Sequence, residues 1–336
     1  MSCERSEHGV QQADVLELAT DLLGALAERD VPLAPMTTYR VGGSAAIFVR
    51  PRTVADLHLV SAAVRATGLA VLIVGRGSNL LVADTGFRGI AVSLSMLGTG
   101  IDVDRVMVCA GGAVALPVLA RRTVAAGLTG FEWAVGVPGS VGGGVRMNAG
   151  GHGADIASCL RSVELFDLGR DESVSLAASS LGLRFRGSAI GDLQIVVSAT
   201  LDLAAGDGPA SQVVLDDIVR WRREHQPGGQ NAGSVFVNPV PGEITAGALI
   251  DQVGLRGFCI GTAHVSEKHA NFIQASVGGN AADVRKVIET VRTIVAERTG
   301  FVLRSEVRLV GFADGEVLST GQPRPGSLEL HAGVIW

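Results

Sequence analysis

Residues 136–153 read GVPGSVGGGVRMNAGGHG, with glycine at 136, 139, 142, 143, 144, 150, 151 and 153. Glycine takes positive φ freely and lets another group approach the main chain closely. The run is too rich in glycine for a helix or an ordinary strand. It is also unlike a linker, because Val137, Val141, Val145 and Met147 stand where a linker would carry serine and charge. The residues therefore predict a buried main-chain surface wrapped around a ligand. A second loop, Gly75-Arg76-Gly77-Ser78-Asn79-Leu80, follows the apolar run AVLIV at 70–74. It is not the dinucleotide fingerprint GxGxxG, which needs a third glycine at position 80 and a helix opening in the loop. Position 80 is leucine, and Leu80-Leu81-Val82 reads as a strand closed by the turn Asp84-Thr85-Gly86. Successive amides in such a strand–turn–strand loop still suit an anion.

The elements that must hold these loops follow from periodicity. Val15, Leu18, Leu22, Leu23 and Leu26 predict a helix over 14–29, and TTYRVGGSAAIFVR (37–50) predicts a turn-rich approach to a strand at 46–50. Thr53 and Asp56 form a capping-box signature for a helix running to about Thr67 and stopped by Gly68. Strands are expected at 70–74, 90–94, 106–110, 161–167 and 193–201, with a helix at 116–126. The small, polar stretch AAGDGPASQ (204–212) marks the domain boundary. Beyond it, Leu215, Ile218 and Val219 predict a helix at 212–224. Val284, Val287, Ile288, Val291, Ile294 and Val295 predict another at 281–298, capped by Asn280 and ended by Gly300. Residues 301–312 alternate as a strand. The expected division is 1–203 (a small subdomain of about 1–68 and a larger one of about 69–203), then 204–312, then a loosely ordered tail at 313–336.

Composition narrows the function. The chain has 336 residues, 47% apolar and 18% charged, with mean hydropathy +0.36. No uninterrupted apolar run approaches the roughly 20 residues of a membrane span, and MSCERSEHGV lacks the blocks of a secretory signal. A soluble cytoplasmic protein is expected. The net charge of −5 disfavours nucleic acid as a partner. Lys268 and Lys286 are the only lysines, so cationic work falls to arginine, which binds carboxylate and phosphate through two donors. Cys3, Cys109, Cys159 and Cys259 are far apart, the seven histidines show no ligand spacing, and no metal is expected.

Six motifs occur together and in order: TTYRVGG, VGRGSNLLV, GVPGSVGGGVRMNAGGHG, QNAGSVFVNP, HVSEKHANFI and LRSEVRLVG. In this combination the chain, from about residue 35 to 312, resembles the UDP-N-acetylenolpyruvoylglucosamine reductases, flavoenzymes of peptidoglycan precursor synthesis. The resemblance implies an α+β fold: a two-part FAD-binding domain of the vanillyl-alcohol oxidase type and a C-terminal α/β substrate domain. It implies FAD bound non-covalently, NADPH as co-substrate, a UDP-sugar enolpyruvyl ether as substrate, and a form without the tyrosine-bearing substrate loop, since Tyr39 is the only tyrosine. A monomer is among the states this allows. Carried onto this sequence, Gly75, Arg76, Gly77, Ser78, Asn79 and Leu80 would face the cofactor's pyrophosphate. Gly136, Val137, Pro138, Gly139, Ser140, Val141, Gly142 and Gly143 would wrap the flavin side, with Asn148, Ala149 and Gly150 nearby. Arg186 in LRFRGS would hold the substrate carboxylate, Glu306 would pin the same group, and Ser234 would give a proton. Arg222, Arg223, His225, Asn238, Lys268 and Asn271 are the substrate-binding candidates, although many relatives carry lysine where His225 stands.

Simpler roles compete with each assignment. Arg186 would otherwise be a surface arginine, Glu306 an ion-pair partner of Arg304 or Arg308, and Ser234 a turn hydroxyl bonded to its own backbone. The basic residues at 222–225 would equally complement a helix C-terminus. Two other functions share these features: a different oxidase or dehydrogenase on the same flavin fold, and a non-catalytic nucleotide-sugar binder. Oxygen uptake with an alcohol would mark the first, and flavin colour without turnover the second.

Overall fold

The computed structural model describes residues 14–312. The tail expected at 313–336 lies outside the described residues. The apolar runs expected as strands near 46–50, 70–74 and 90–94 join residues 28–32 in a four-stranded sheet. Its members are β1 (Glu28–Pro32), β2 (Ser44–Val49), β3 (Val71–Val74) and, beyond β4 (Leu80–Val82), β5 (Phe87–Ser93). The order is β1-β2-β5-β3, parallel across β2, β5 and β3 and antiparallel at β1. Ile47, Val49, Ile90 and Val92 are buried with Leu57, Val60 and Val64 of helix α2 (Val54–Thr67) and with Leu23 of helix α1 (14–23). Phe48, Leu72 and Val74 are buried in a separate cluster with Leu33, Val82 and Val310. Residues buried on both faces in this way explain the continuous apolar runs. α2 starts at Thr53 with the reciprocal Thr53–Asp56 capping box and ends at Gly68, φ 66°.

A five-stranded antiparallel sheet comprises β6 (Ile101–Asp104), β7 (Met107–Gly111), β8 (Leu160–Asp167), β9 (Glu172–Ala177) and β10 (Gln194–Asp202), in the order β9-β8-β10-β7-β6. Val108, Val163, Leu165 and Leu201 are buried with Leu116 and Leu119 of α3 (Leu116–Ala125), Val141 and Val145 of α4 (Val141–Met147), and Leu215 and Ile218 of α5 (Gly208–His225). α5 thus packs on the core of this sheet, although its sequence lies after the expected boundary. The remaining unit has α6 (Ala246–Gln252), a three-stranded antiparallel sheet of β11 (Cys259–Ile260), β12 (Ala263–Val265) and β13 (Ile273–Ala275), and α7 (Ala281–Thr299). Val284, Val287, Ile288, Val291 and Val295 of α7 are buried together with Tyr39, Val41 and Leu81 from the N-terminal part. Finally β14 (Arg308–Val310) pairs in parallel with β4.

Three expectations need correction. The helix predicted over 14–29 stops at 23, because Gly24 takes φ 52° and ERDVP is drawn out to pair with β2. Leu18 and Leu22, among the apolar residues that predict it, are exposed, whereas Ala19 and Leu23 are buried. The alternating strand at 301–312 shortens to β14, joined by one bridge between Ser305 and Phe236. The glycine run judged unfit for a helix contains α4. A Cβ on Gly142 would meet the carbonyl oxygens of Gly112 and Val196 at 3.2 and 3.3 Å, and one on Gly144 would meet Leu116 at 3.2 Å. Glycine permits close packing here, and the helical cost of about 1 kcal/mol per glycine is the lesser term.

The two ends of the fold are tied by Asp84. Its carboxylate oxygens accept the Ala281 and Ala282 amides of α7 at 2.8 and 2.9 Å, beside the helix's own cap from Asn280 Oδ1 to the Asp283 amide. Asp84→Ala is expected to lower stability by about 1 kcal/mol, read as a lower urea midpoint with an unchanged slope.

Candidate active site

The first glycine loop leaves β3 and enters β4. Gly77 has φ 61°, and a Cβ there would lie 2.0 Å from the Met36 carbonyl oxygen, so only glycine lets the TTYRVGG turn close on the loop. The Gly77 carbonyl accepts the Thr38 amide at 3.2 Å. The amides from Gly75 to Asn79 donate to no described group, which leaves these N–H groups without an acceptor among the described residues. The second loop begins α4, where Ser140 Oγ caps the Gly143 amide at 3.3 Å. The loops meet: a Cβ on Gly75 would stand 2.6 Å from Ser140 Oγ.

Between them lies a cavity of about 150 Å³, lined by Gly75, Arg76, Ser140, Gly142 and Gly143 of the predicted residues. The sequence reading missed Gly112, Ala113, Arg146, Ile190, Gln194 and Arg308 on the same wall. A larger cavity of about 680 Å³ shares Arg146 and Arg308 and adds Asn79, Arg186, Asp192, Arg304 and Glu306. Cavities of roughly 300–1,000 Å³ suit cofactors and substrates, a size the larger cavity has and the smaller one lacks by itself. Free amides, glycine walls, apolar Ile73, Leu94, Ile190 and Val196, and three arginines fit a flavin dinucleotide well. Gly77, Ser78, Leu80, Gly136, Val137, Pro138, Gly139, Val141, Asn148, Ala149 and Gly150 line neither cavity. Val141 belongs to the core. Asn148 is a buried spacer: Nδ2 donates to Asp155 Oδ2 and the Arg184 carbonyl, and Oδ1 accepts the Ala157 amide.

Arg186 and Glu306, 120 positions apart, come together with Arg186 Nε 3.0 Å from Glu306 Oε2. A second donor, Arg186 Nη2, holds the Gly150 carbonyl at 3.1 Å. Arg186 is the second residue of a two-residue turn closed by Arg184 and Gly187, and it takes φ 55° where glycine or asparagine is usual. A non-glycine residue in this region carries strain of about 1–3 kcal/mol. With Nε and Nη2 fixed, Nη1 remains to meet an anion. Arg308 does not pair with Glu306, as one reading of the alternating strand had it; its Nη2 lies 2.7 Å from Asp192 Oδ1.

Ser234 is exposed, and its hydroxyl meets no described group. Its backbone is well fixed. Asn231 Oδ1 accepts the Gly233 amide, Asn271 O accepts the Val235 amide, and the Val235 carbonyl accepts the Glu306 amide at 2.7 Å. Ser234 is thus one residue from a strand contact with the Glu306 segment. Asn271, predicted at the substrate, is buried and pairs both its amide atoms with the Phe236 backbone, at 2.9 and 2.8 Å. Asn238 Oδ1 caps α6 at the Ala246 amide. Lys268 Nζ is held by the Arg223 carbonyl at 2.6 Å, and His225 stacks on Trp221 with Nδ1 on that residue's carbonyl. Arg222 is half-buried beside Gly136 and His152, and burial lowers its proton affinity. Tyr39, the one tyrosine, is 0% exposed and lies in the core.

Comparison with known proteins adds to this geometry. The C-terminal domain family of UDP-N-acetylenolpyruvoylglucosamine reductase matches residues 225–310, and an FAD-binding domain family matches 45–175. The UDP-N-acetylenolpyruvoylglucosamine reductase of Heliobacterium modesticaldum is 40% identical over 305 residues, covering 90% of this chain and 96% of that protein. The protein of the same name from Gloeobacter violaceus is 42% identical over 287 residues, covering 84% and 95%. The crystal structure of the Thermus caldophilus reductase superposes with a TM-score of 0.73 at 31% identity, covering 84% of this chain and 98% of that one.

The Glu306 carboxyl sits above the ordinary range because burial disfavours its charged form, while Arg186 and then Arg304 pull it back. The fold therefore favours the protonated group. That contribution is complete below the unfolded value near ~4.3 and is lost as pH rises through the folded value. Glu306→Gln, which cannot ionise, is expected to gain in melting temperature relative to the unaltered protein as pH rises through that window. A difference independent of pH would contradict this.

Proposed function

The chain belongs to the UDP-N-acetylenolpyruvoylglucosamine reductase family, and we infer that it reduces UDP-N-acetylglucosamine enolpyruvate to UDP-N-acetylmuramate, with FAD as cofactor and NADPH as reductant. The observation that carries the reading of the site is the Arg186–Glu306 pair facing a cavity that adjoins the glycine cleft. When bound, FAD supplies the relay by which the hydride of NADPH reaches the enolpyruvyl β-carbon. The protein's residues handle the rest of the chemistry.

Hydride addition at the β-carbon drives negative charge onto the substrate carboxylate. Arg186 is already fixed through Nε and Nη2, so its remaining donors are preorganised for that carboxylate and need no reorganisation as charge develops. Glu306, held toward its protonated form by burial, donates a hydrogen bond to the same group. Ser234 delivers a proton to the α-carbon, which completes the saturated lactyl ether: hydride and proton have entered, and NADPH leaves oxidised. A serine hydroxyl is a weak acid, so donation from Ser234 requires a cation or hydrogen-bond donor to stabilise the alkoxide it leaves. Arg222, Arg223 and His225 at the end of α5, with Lys268 and Asn238, are the residues we assign to the substrate's nucleotide diphosphate. The flavin part spans 1–203 and the substrate part 204–312 in this reading, with α5 packed on the former. The reading places the enzyme in the cytoplasm, and no described helix is long and apolar enough to cross a membrane.

Two measurements test this. Under anaerobic conditions NADPH is expected to bleach the protein's flavin absorbance, and the enolpyruvyl sugar nucleotide to restore it. Colour that bleaches but is not restored by that substrate would defeat the assignment. Ser234→Ala is expected to keep the bleaching step while slowing reoxidation by about 10²–10⁴-fold, and an unchanged reoxidation rate would remove Ser234 from the mechanism.

A further inference from the structure

The glycine cleft carries more positive charge than its amides supply. Arg76, Arg146 and Arg308 line the smaller cavity, and among the described residues no acidic one does. Arg146 reaches in from α4, and Arg308 from β14, the strand that follows Glu306. Both guanidinium groups converge on one carboxylate: Arg146 Nη2 and Arg308 Nη2 lie 2.5 and 2.7 Å from Asp192 Oδ1. Arg146 Nη1 is also fixed, on the Gly191 carbonyl at 2.9 Å. Two cations on one anion leave a charge of +1 that no other ion pair among the described residues neutralises. Burial, and next the nearby Arg308, make Arg146 a more reluctant cation than usual. Such an arrangement is favourable once an anion with several oxygens completes it, and planar guanidinium groups suit phosphate oxygens in particular.

The backbone adds to the argument. The Arg308 amide donates to the Asn79 carbonyl at 2.9 Å, and Asn79 Nδ2 donates to the Glu306 carbonyl at 2.8 Å. Arg308 is therefore anchored to the last residue of the loop whose amides are free. We propose that Arg146 and Arg308, held in register by Asp192, are cationic ligands for the phosphates of the bound dinucleotide. The segment that carries Glu306 and β14 then also closes the cofactor cleft. Arg308 lies outside the matched FAD-binding segment 45–175, so the C-terminal part of the chain contributes directly to cofactor affinity. The proposal rests on the reading of the chain as an FAD enzyme.

The test strips the flavin from the full-length protein and titrates the apoprotein with FAD and with riboflavin, which lacks phosphate, following flavin fluorescence at low and high salt. Arg308→Met is expected to weaken FAD binding by about 10- to 100-fold, to leave riboflavin binding unchanged, and to flatten the salt dependence of FAD affinity. Should that variant not fold, Arg308→Lys and Arg146→Met carry the same comparison, with Lys restoring part of the affinity. Unchanged FAD affinity, equal weakening of FAD and riboflavin, or a raised KM for the sugar nucleotide at unchanged FAD affinity would each overturn the proposal. An unaltered protein that binds no FAD would instead overturn the reading beneath it.

Discussion

The three-residue parallel pairing of Leu80–Val82 with Arg308–Val310 is the constraint on which the site depends. It is short, yet it sets the position of two chemically different segments at once. On one side it fixes the glycine loop ending at Asn79; on the other it fixes the segment from Ser305 to Arg308. Leu81 and Val310, buried in neighbouring clusters, hold the pairing by burial rather than by hydrogen bonds alone. Because the Val235 carbonyl accepts the Glu306 amide, the same segment also locates the Ser234 turn. Moving β14 by one residue would turn Glu306 to the opposite face and separate it from Arg186.

Much of the frame was legible in the residues because it is governed by local rules. Thr53 with Asp56, Gly68, Asn280 and Gly300 mark helix ends through capping that depends only on neighbours a few positions away. Leu80 in place of glycine correctly excluded the dinucleotide fingerprint, and β4 is a strand. The failures share a different origin. Nothing local shows that Gly142 packs on the Gly112 and Val196 carbonyls, so a helix rich in glycine looked implausible. Nor does anything local show that residues 28–32 pair with β2, so helical periodicity alone overextends the first helix.

For the site, the residue types were legible and their partners were not. Asn148 and Asn271 sit in motifs that suggest ligand contact, yet both spend their amide groups on the protein's own backbone and side chains. They position the Arg184–Gly187 turn and the Ser234 turn. Arg308 was visible only as an alternating charge beside Glu306, and its pairing with Asp192, 116 positions earlier, emerges only in three dimensions. Arg186 had the weakest local signal of all. Its ion pair with Glu306, 120 positions away, and its bond to the Gly150 carbonyl are what distinguish it from an ordinary surface arginine.

The carboxylate of Asp84 has a consequence for how the chain folds. Helix α7 can begin with its own Asn280 cap, but the two amides at its start gain their charged acceptor only when a residue 197 positions earlier arrives. Closing so long a segment carries an entropic cost that local helix formation does not. The terminal turn of α7 therefore reaches full strength only after the N-terminal sheet has docked, and assembly and helix completion reinforce each other. Such mutual dependence favours concerted unfolding of the two ends over a state in which one melts alone.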